Sequence, residues 1–142
     1  MKYRVYLGRL IGMLALLVVS ACASNKPGEA AIPSDAKVTH RAVLIGESNH
    51  DAFGTISLYQ SSDTSVLVFE PNFRLNGPAA PTVAFGRDGY EASAKVANLV
   101  RNTGRQSYLV PPGLKVRRFN EVWLWHEKSG RPVGLGRLTP II

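Results

Sequence analysis

The chain of 142 residues holds one cysteine, Cys22. A single thiol excludes a disulfide framework within the chain and all Cys-rich zinc sites. Its main apolar run, Leu10 to Ala21, has 12 residues, too short for a bilayer span that takes roughly 20. Histidine is scarce, with three in all, and none stands in a CxxCH or HExxH spacing, so the sequence carries no positive signal for haem attachment or a zinc site. There is no Gly-x-Ser-x-Gly elbow. The acids Glu47, Asp51, Glu70, Asp88, Glu91, Glu121 and Glu127 scatter among turns and strand ends rather than forming a carboxylate pair. Gly134-Leu135-Gly136 lacks the third glycine and following helix of a phosphate loop. These glycines are expected instead to make room for Trp123 or Trp125 on a neighbouring strand. No catalytic constellation remains, and no enzyme is expected.

What is present begins with a targeting segment. Lys2, Arg4 and Arg9 precede the apolar run, which ends in small residues, the pattern of a signal peptide over residues 1–21. Val19-Ser20-Ala21-Cys22 resembles the bacterial lipobox. That resemblance implies a diacylglyceryl group on the Cys22 sulfur, cleavage just before it and acylation of the new amino terminus. Ala23 and Ser24 follow with no Asp, which by the same resemblance implies the outer membrane, with the protein facing the periplasm. The thioether would consume the one thiol, excluding cysteine redox chemistry and thiol catalysis, and two or more acyl chains would anchor stably. Residues 22–39, mostly small and polar without periodicity, read as the lipidated cysteine and a flexible tether.

Residues 40–142 read as one all-β domain, an antiparallel sandwich or jelly roll of about eight short strands. Apolar runs recur at Arg41–Ile45, Phe53–Gln60, Ser65–Phe69, Thr82–Phe85, Val96–Val100, Ser107–Val110, Glu121–His126 and Val133–Leu138, separated by turn signals such as Arg87-Asp88-Gly89 and Lys128-Ser129-Gly130. Val66 to Phe69, apolar throughout, suits a strand covered on both faces. Only Tyr90 to Asn98 has helical spacing, through its alanines.

Several segments fall in a telling order: His50-Asp51-Ala52-Phe53-Gly54, Val66 to Phe73 ending Glu-Pro-Asn-Phe, Asn76-Gly77-Pro78, Leu99 to Pro111 with Arg-Asn-Thr-Gly-Arg-Gln at its centre, and Val122-Trp123-Leu124-Trp125-His126. Together they resemble the DM-thirteen domain, a module linked to electron transfer and compared with haem-binding DOMON sandwiches. The family usually has an acidic residue after its Gly-Pro and a Cys after its late Trp; this chain has Ala79 and His126 there. His50, His126 and the adjoining Trp125 are thus the candidate ligand or redox-site residues. Each histidine also has a plainer reading, as a residue held by hydrogen bonds at a turn or at the rim of the core.

Charge is uneven. From Cys22 to Ala94 there are 5 Lys+Arg and 8 Asp+Glu; from Lys95 onward there are 9 and 2. Lys115, Arg117, Arg118, Arg131 and Arg137 are the candidate face for an anionic partner, whether anionic lipid headgroups, an acidic envelope polymer or a protein. An exported lipoprotein is not expected to bind nucleic acid. The first expectation is therefore a cofactor-free, non-catalytic binding or structural module held to the membrane by lipid. The alternative is an electron-transfer module holding haem or metal through histidine.

Overall fold

The structure, a computed structural model, describes residues 26–142. The expected signal peptide and lipidation site, residues 1–22, lie outside them. The chain forms β1 (Lys37–Gly46), β2 (Asp51–Phe53), β3 (Thr55–Gln60), β4 (Ser65–Phe69), β5 (Arg74–Asn76), β6 (Thr82–Gly86), β7 (Tyr90–Asn98), β8 (Gln106–Leu109), a 3-10 turn at Val116–Arg118, β9 (Glu121–His126), β10 (Arg131–Arg137) and β11 (Thr139–Pro140). All strand pairs are antiparallel, in the order β7-β6-β9-β10-β1-β3-β4-β8 with β11 on β1, while β2 and β5 form a separate ribbon. β1 creates the two-layered, nearly barrel-like form: its first seven residues pair with β3 and its last three with β10. The sheet thus turns a corner on one strand.

The core lies between the layers. Ile56 and Leu58 of β3, Leu67 and Phe69 of β4, Val83 and Phe85 of β6, and Val122 and Leu124 of β9 are fully buried at alternate positions, the period-2 pattern that a covered strand requires. Val66 and Val68 are buried too, so β4 is covered on both faces. Phe69 meets Phe73 and Tyr108 edge-on, with ring centroids 4.9 and 5.9 Å apart, a geometry in which positive ring edge meets negative face.

Four expectations need correction. The run Phe53–Gln60 is two strands, broken at Gly54. Tyr90–Asn98 is strand, not helix, and absorbs the start of the run Val96–Val100: pairing with β6 and burial of Ala94 outweigh the helical spacing of its alanines. Gly134 and Gly136 do not accommodate tryptophan. A side chain at either would meet Leu124 or Ala42, whereas the glycine that admits Trp123 is Gly86, where an added Cβ would sit 2.7 Å from the indole Nε1.

The fourth correction concerns the tether. β1 starts at Lys37, and residues 28–30 form a strap beside β8: the Ser107 N–H donates to the Gly28 carbonyl at 2.8 Å, the Ala30 N–H to the Ser107 carbonyl at 3.2 Å, and the Ser107 hydroxyl to the Ala30 carbonyl at 2.7 Å. The strap runs parallel to β8. Its side chains bury little, but it satisfies the N–H and C=O groups that an edge strand leaves open, a backbone reward that composition does not register.

Register defines two ends of each layer, and the layers are matched by the 3-10 turn, which borders both Arg87 and Gln60, and by the loop after β7, which bonds to both Pro81 and Gln106. Thr55, Phe69 and Gln106 lie at the end where the strap begins, along with Thr82, His126 and Arg131; Gln60, Ser65, Gly86, Glu121 and Arg137 lie at the other. These are the proximal and distal ends.

Candidate functional site

Most of the segments that carry the family resemblance meet at the proximal end, which Val122–His126 reaches only with its last residues. Asp51, Ala52 and Phe53 pair with Asn76, Leu75 and Arg74. The Asn102 amide reaches the carbonyls of Gly77 at 3.2 Å and Pro78 at 3.3 Å, and the Leu75 N–H donates to the Asn102 carbonyl at 2.7 Å. The Asn72 carboxamide oxygen accepts from the Thr55 N–H at 3.0 Å. Gln106, buried, accepts from the Arg101 N–H at 3.0 Å and from the Tyr108 hydroxyl, while its amide nitrogen donates to the carbonyls of Arg101 at 2.8 Å and Gly104 at 3.3 Å. Tyr108 in turn accepts from the Val100 N–H at 2.9 Å. Burial pushes the Tyr108 phenol above its ordinary pKa, against the opposing Val100 hydrogen bond and Arg101 charge. These polar side chains hold three loops together.

His50 lies in the turn between β1 and β2, its N–H donating to the Glu47 carbonyl at 3.0 Å; a Cβ at Gly77 would stand 3.1 Å from its Nδ1. His126 follows Val122 and Leu124 on their face of β9 but ends at the rim, half-buried, its Nδ1 hydrogen-bonded to the Ser129 hydroxyl at 2.8 Å. The His126 ring is thus seated in its own turn, while the His50 ring lies against Gly77 of the β5–β6 loop. Among the described residues, no group of three His, Cys, Asp or Glu side chains converges as metal ligands would.

Trp125 belongs to a different feature. Its ring stacks on Tyr90, centroids 4.3 Å apart and 4° from parallel, and the Tyr90 hydroxyl donates to a Glu127 carboxylate oxygen at 2.8 Å, which also accepts from Thr82 at 3.0 Å. Burial, then the hydrogen bond and negative charge of Glu127, push the Tyr90 phenol up to about 12. The folded state holds this proton more tightly than the unfolded one, so the stabilisation is intact below pH 10 and is lost as pH rises through about 12. An ultraviolet titration should show the phenolates of Tyr90 and Tyr108 appearing late, and Glu127→Gln should bring the Tyr90 phenolate earlier. An unchanged curve in the variant would mean that the bond to Glu127 is not what holds the proton.

The basic residues divide. Arg131 stands at the proximal end of β10 and Arg137 at the distal end, six residues along the strand, about 20 Å at 3.3 Å per residue. The five cations therefore do not share one face, because a strand separates its ends. Arg137 pairs at 3.5 Å with Glu121, a buried carboxylate that also accepts from the Trp123 Nε1 at 2.7 Å and the Gly89 N–H at 3.1 Å. Lys115, Arg117 and Arg118 do cluster, on and beside the 3-10 turn at the distal end. Lys115 and Arg118 line an open groove of about 620 Å³ with Arg87, Glu91 and Phe119, and Arg117 lines the adjoining cleft beside Gln60 and Asp63.

No model of a known protein family, no curated protein and no solved structure matches the chain.

Sequence reasoning missed Arg87. It sits in the tight turn between β6 and β7, where Asp88 and Gly89 take positive φ, and its Nε donates to the Arg118 carbonyl at 2.6 Å. A turn residue 31 positions from its partner leaves no trace in local pattern. The groove it completes brings three cations around one carboxylate, Glu91, with the Phe119 ring, stacked on Phe85 at 5.7 Å, as an apolar wall. Such a lining suits a flexible anionic chain more than a small rigid ligand, because the cations ring an open surface rather than a closed pocket.

Proposed function

We propose that this chain is an envelope lipoprotein, held by lipid on Cys22 to the outer membrane and facing the periplasm, whose β-sandwich is a non-catalytic binding module for an anionic envelope partner. The carrying observation is the distal groove, where Arg87, Lys115 and Arg118 meet across about 620 Å³. In keeping with a DM-thirteen-like module that lacks the family's cysteine, the shared motifs act here as structural ties: Asn72, Asn102 and Gln106 place their amides on loop backbone.

Titration with polyphosphate, a soluble polyanion, tests the groove. Binding should weaken steeply with salt, and Arg87→Ala or Arg118→Ala should each weaken it about threefold to tenfold. Arg131→Ala, at the other end, should change little. Equal losses at all three positions would reduce the groove to general positive charge. Cys22→Ser should release the protein from the membrane fraction.

A further inference from the structure

The strap sets how far the domain can stand from its anchor. If residues 22–39 were all loose, the sandwich could hang well clear of the headgroups. The structure instead seats Gly28 beside Val100 and Gln106 and ties it to Ser107. Between Cys22 and Lys26 there are four peptide steps, at most about 14 Å even when fully extended. The strap starts at the proximal end and runs toward the distal one, so the proximal end is where the chain emerges. β3 alone, six residues long, puts the distal loops about 17 Å further away.

The surface around that exit has the chemistry of a headgroup contact. Lys26, two residues before the strap, and Arg101 and Arg105, on the loop beneath it, are exposed, with the Arg101 guanidinium donating to the Arg105 carbonyl at 2.7 Å. Arg74, also exposed, bridges to Thr103 of the same loop, and its cross-strand partner Phe53 turns an aromatic ring outward at 66% exposure. Val100 is 44% exposed beside Gly28. The carboxylates at this end include Glu29 on the strap, Asp51 on β2, Glu70 in the turn before Phe73 and Glu47 in the β1–β2 turn. Four cations with two outward apolar side chains match an anionic lipid surface, where basic side chains meet phosphates and an aromatic ring rests at headgroup level.

We propose that the proximal corner formed by Lys26, Phe53, Arg74, Arg101 and Arg105 is a membrane-docking surface that seats the domain on anionic headgroups and turns the distal groove toward the periplasm. This rests on the lipidation of Cys22. A short link by itself permits the domain to lie on its side; the charges select the upright pose. Docking and anion binding then occupy opposite ends and do not compete.

The test uses the full lipidated chain reconstituted in phosphatidylethanolamine–phosphatidylglycerol vesicles. One fluorophore is placed through Thr103→Cys at the corner or through Ser62→Cys in the distal β3–β4 turn; both positions are exposed. A headgroup-bound quencher should quench the Thr103 probe several-fold more than the Ser62 probe. R101E/R105E should erase most of that difference, as should a long Gly/Ser insertion between Asn25 and Lys26. Equal quenching at both positions in anchored protein, or a difference indifferent to charge reversal, would overturn the docking surface and leave anchoring intact. Protein that carries no lipid and stays out of the vesicles would overturn both.

Discussion

Replacing Gly54 with alanine is expected to destabilise the domain by about 2–6 kcal/mol, combining roughly 1–3 for a forbidden backbone conformation with roughly 1–3 for forced overpacking. Gly54 has φ of +120°, and a Cβ there would lie 2.7 Å from the Phe73 Cα and 2.9 Å from its nitrogen. Backbone on both sides cannot yield as a flexible side chain would. Gly54 separates β2 from β3, and its carbonyl accepts from the Leu44 N–H at 2.9 Å, so any shift disturbs β1, β3 and the β2–β5 ribbon together. Against a typical stability of about 5–15 kcal/mol, a fall in Tm of at least about 10 °C is expected. Gly113→Ala is the control: nothing lies within 4 Å of where its added methyl group would stand, so its effect should stay within about 0.5 kcal/mol. If the two variants melt together, the close approach of β2–β3 to Phe73 is wrong.

Gln106→Leu should be comparably damaging, at about 3–5 kcal/mol, because it strips partners from part-buried backbone groups and from the buried Tyr108 hydroxyl at roughly 1–3 each, with incomplete additivity. The Arg101 N–H and the carbonyls of Arg101 and Gly104 would lose their bonds to the side chain. Leucine is close to glutamine in volume, so the loss would report polar satisfaction rather than a cavity. Tyr108→Phe removes the acceptor of the Val100 N–H and should cost about 1–3 kcal/mol. The double variant should cost less than the sum, since Tyr108 and Gln106 share one hydrogen bond. Denaturant melts give the energies, and hydrogen exchange at Val100 and Arg101 should accelerate in both single variants. Protection unchanged at those amides would place the loop's restraint elsewhere.

Much of this fold was legible because its signals are local. Ser65–Phe69 and Glu121–His126 coincide with β4 and β9, since apolar content and bounding turns are set within a few residues. Errors arose where a distant partner decides. The alanines of Tyr90–Asn98 fit a helix until β6 is beside them, and residues 26–30 look like linker until the open edge of β8 is there to receive their backbone. In the candidate site, the cluster Lys115, Arg117 and Arg118 was readable because the three are near neighbours in sequence. Arg87 was not, and the separation of Arg131 from Arg137 needed the strand direction.

The sequence by itself determined the all-β class and most strand positions, and it supplied the expectation of a lipidated Cys22, because alternation, turn residues and a lipobox-like tetrapeptide are short-range patterns. Only the tertiary structure decided that the motif residues Asn72, Asn102 and Gln106 tie loops together, that the cations divide between two ends, and that residues 28–30 strap onto β8 a few positions after Cys22. Each of these depends on which backbone groups and charges are brought together from far apart in the chain, and long-range pairing, unlike periodicity, has no signature in any single segment.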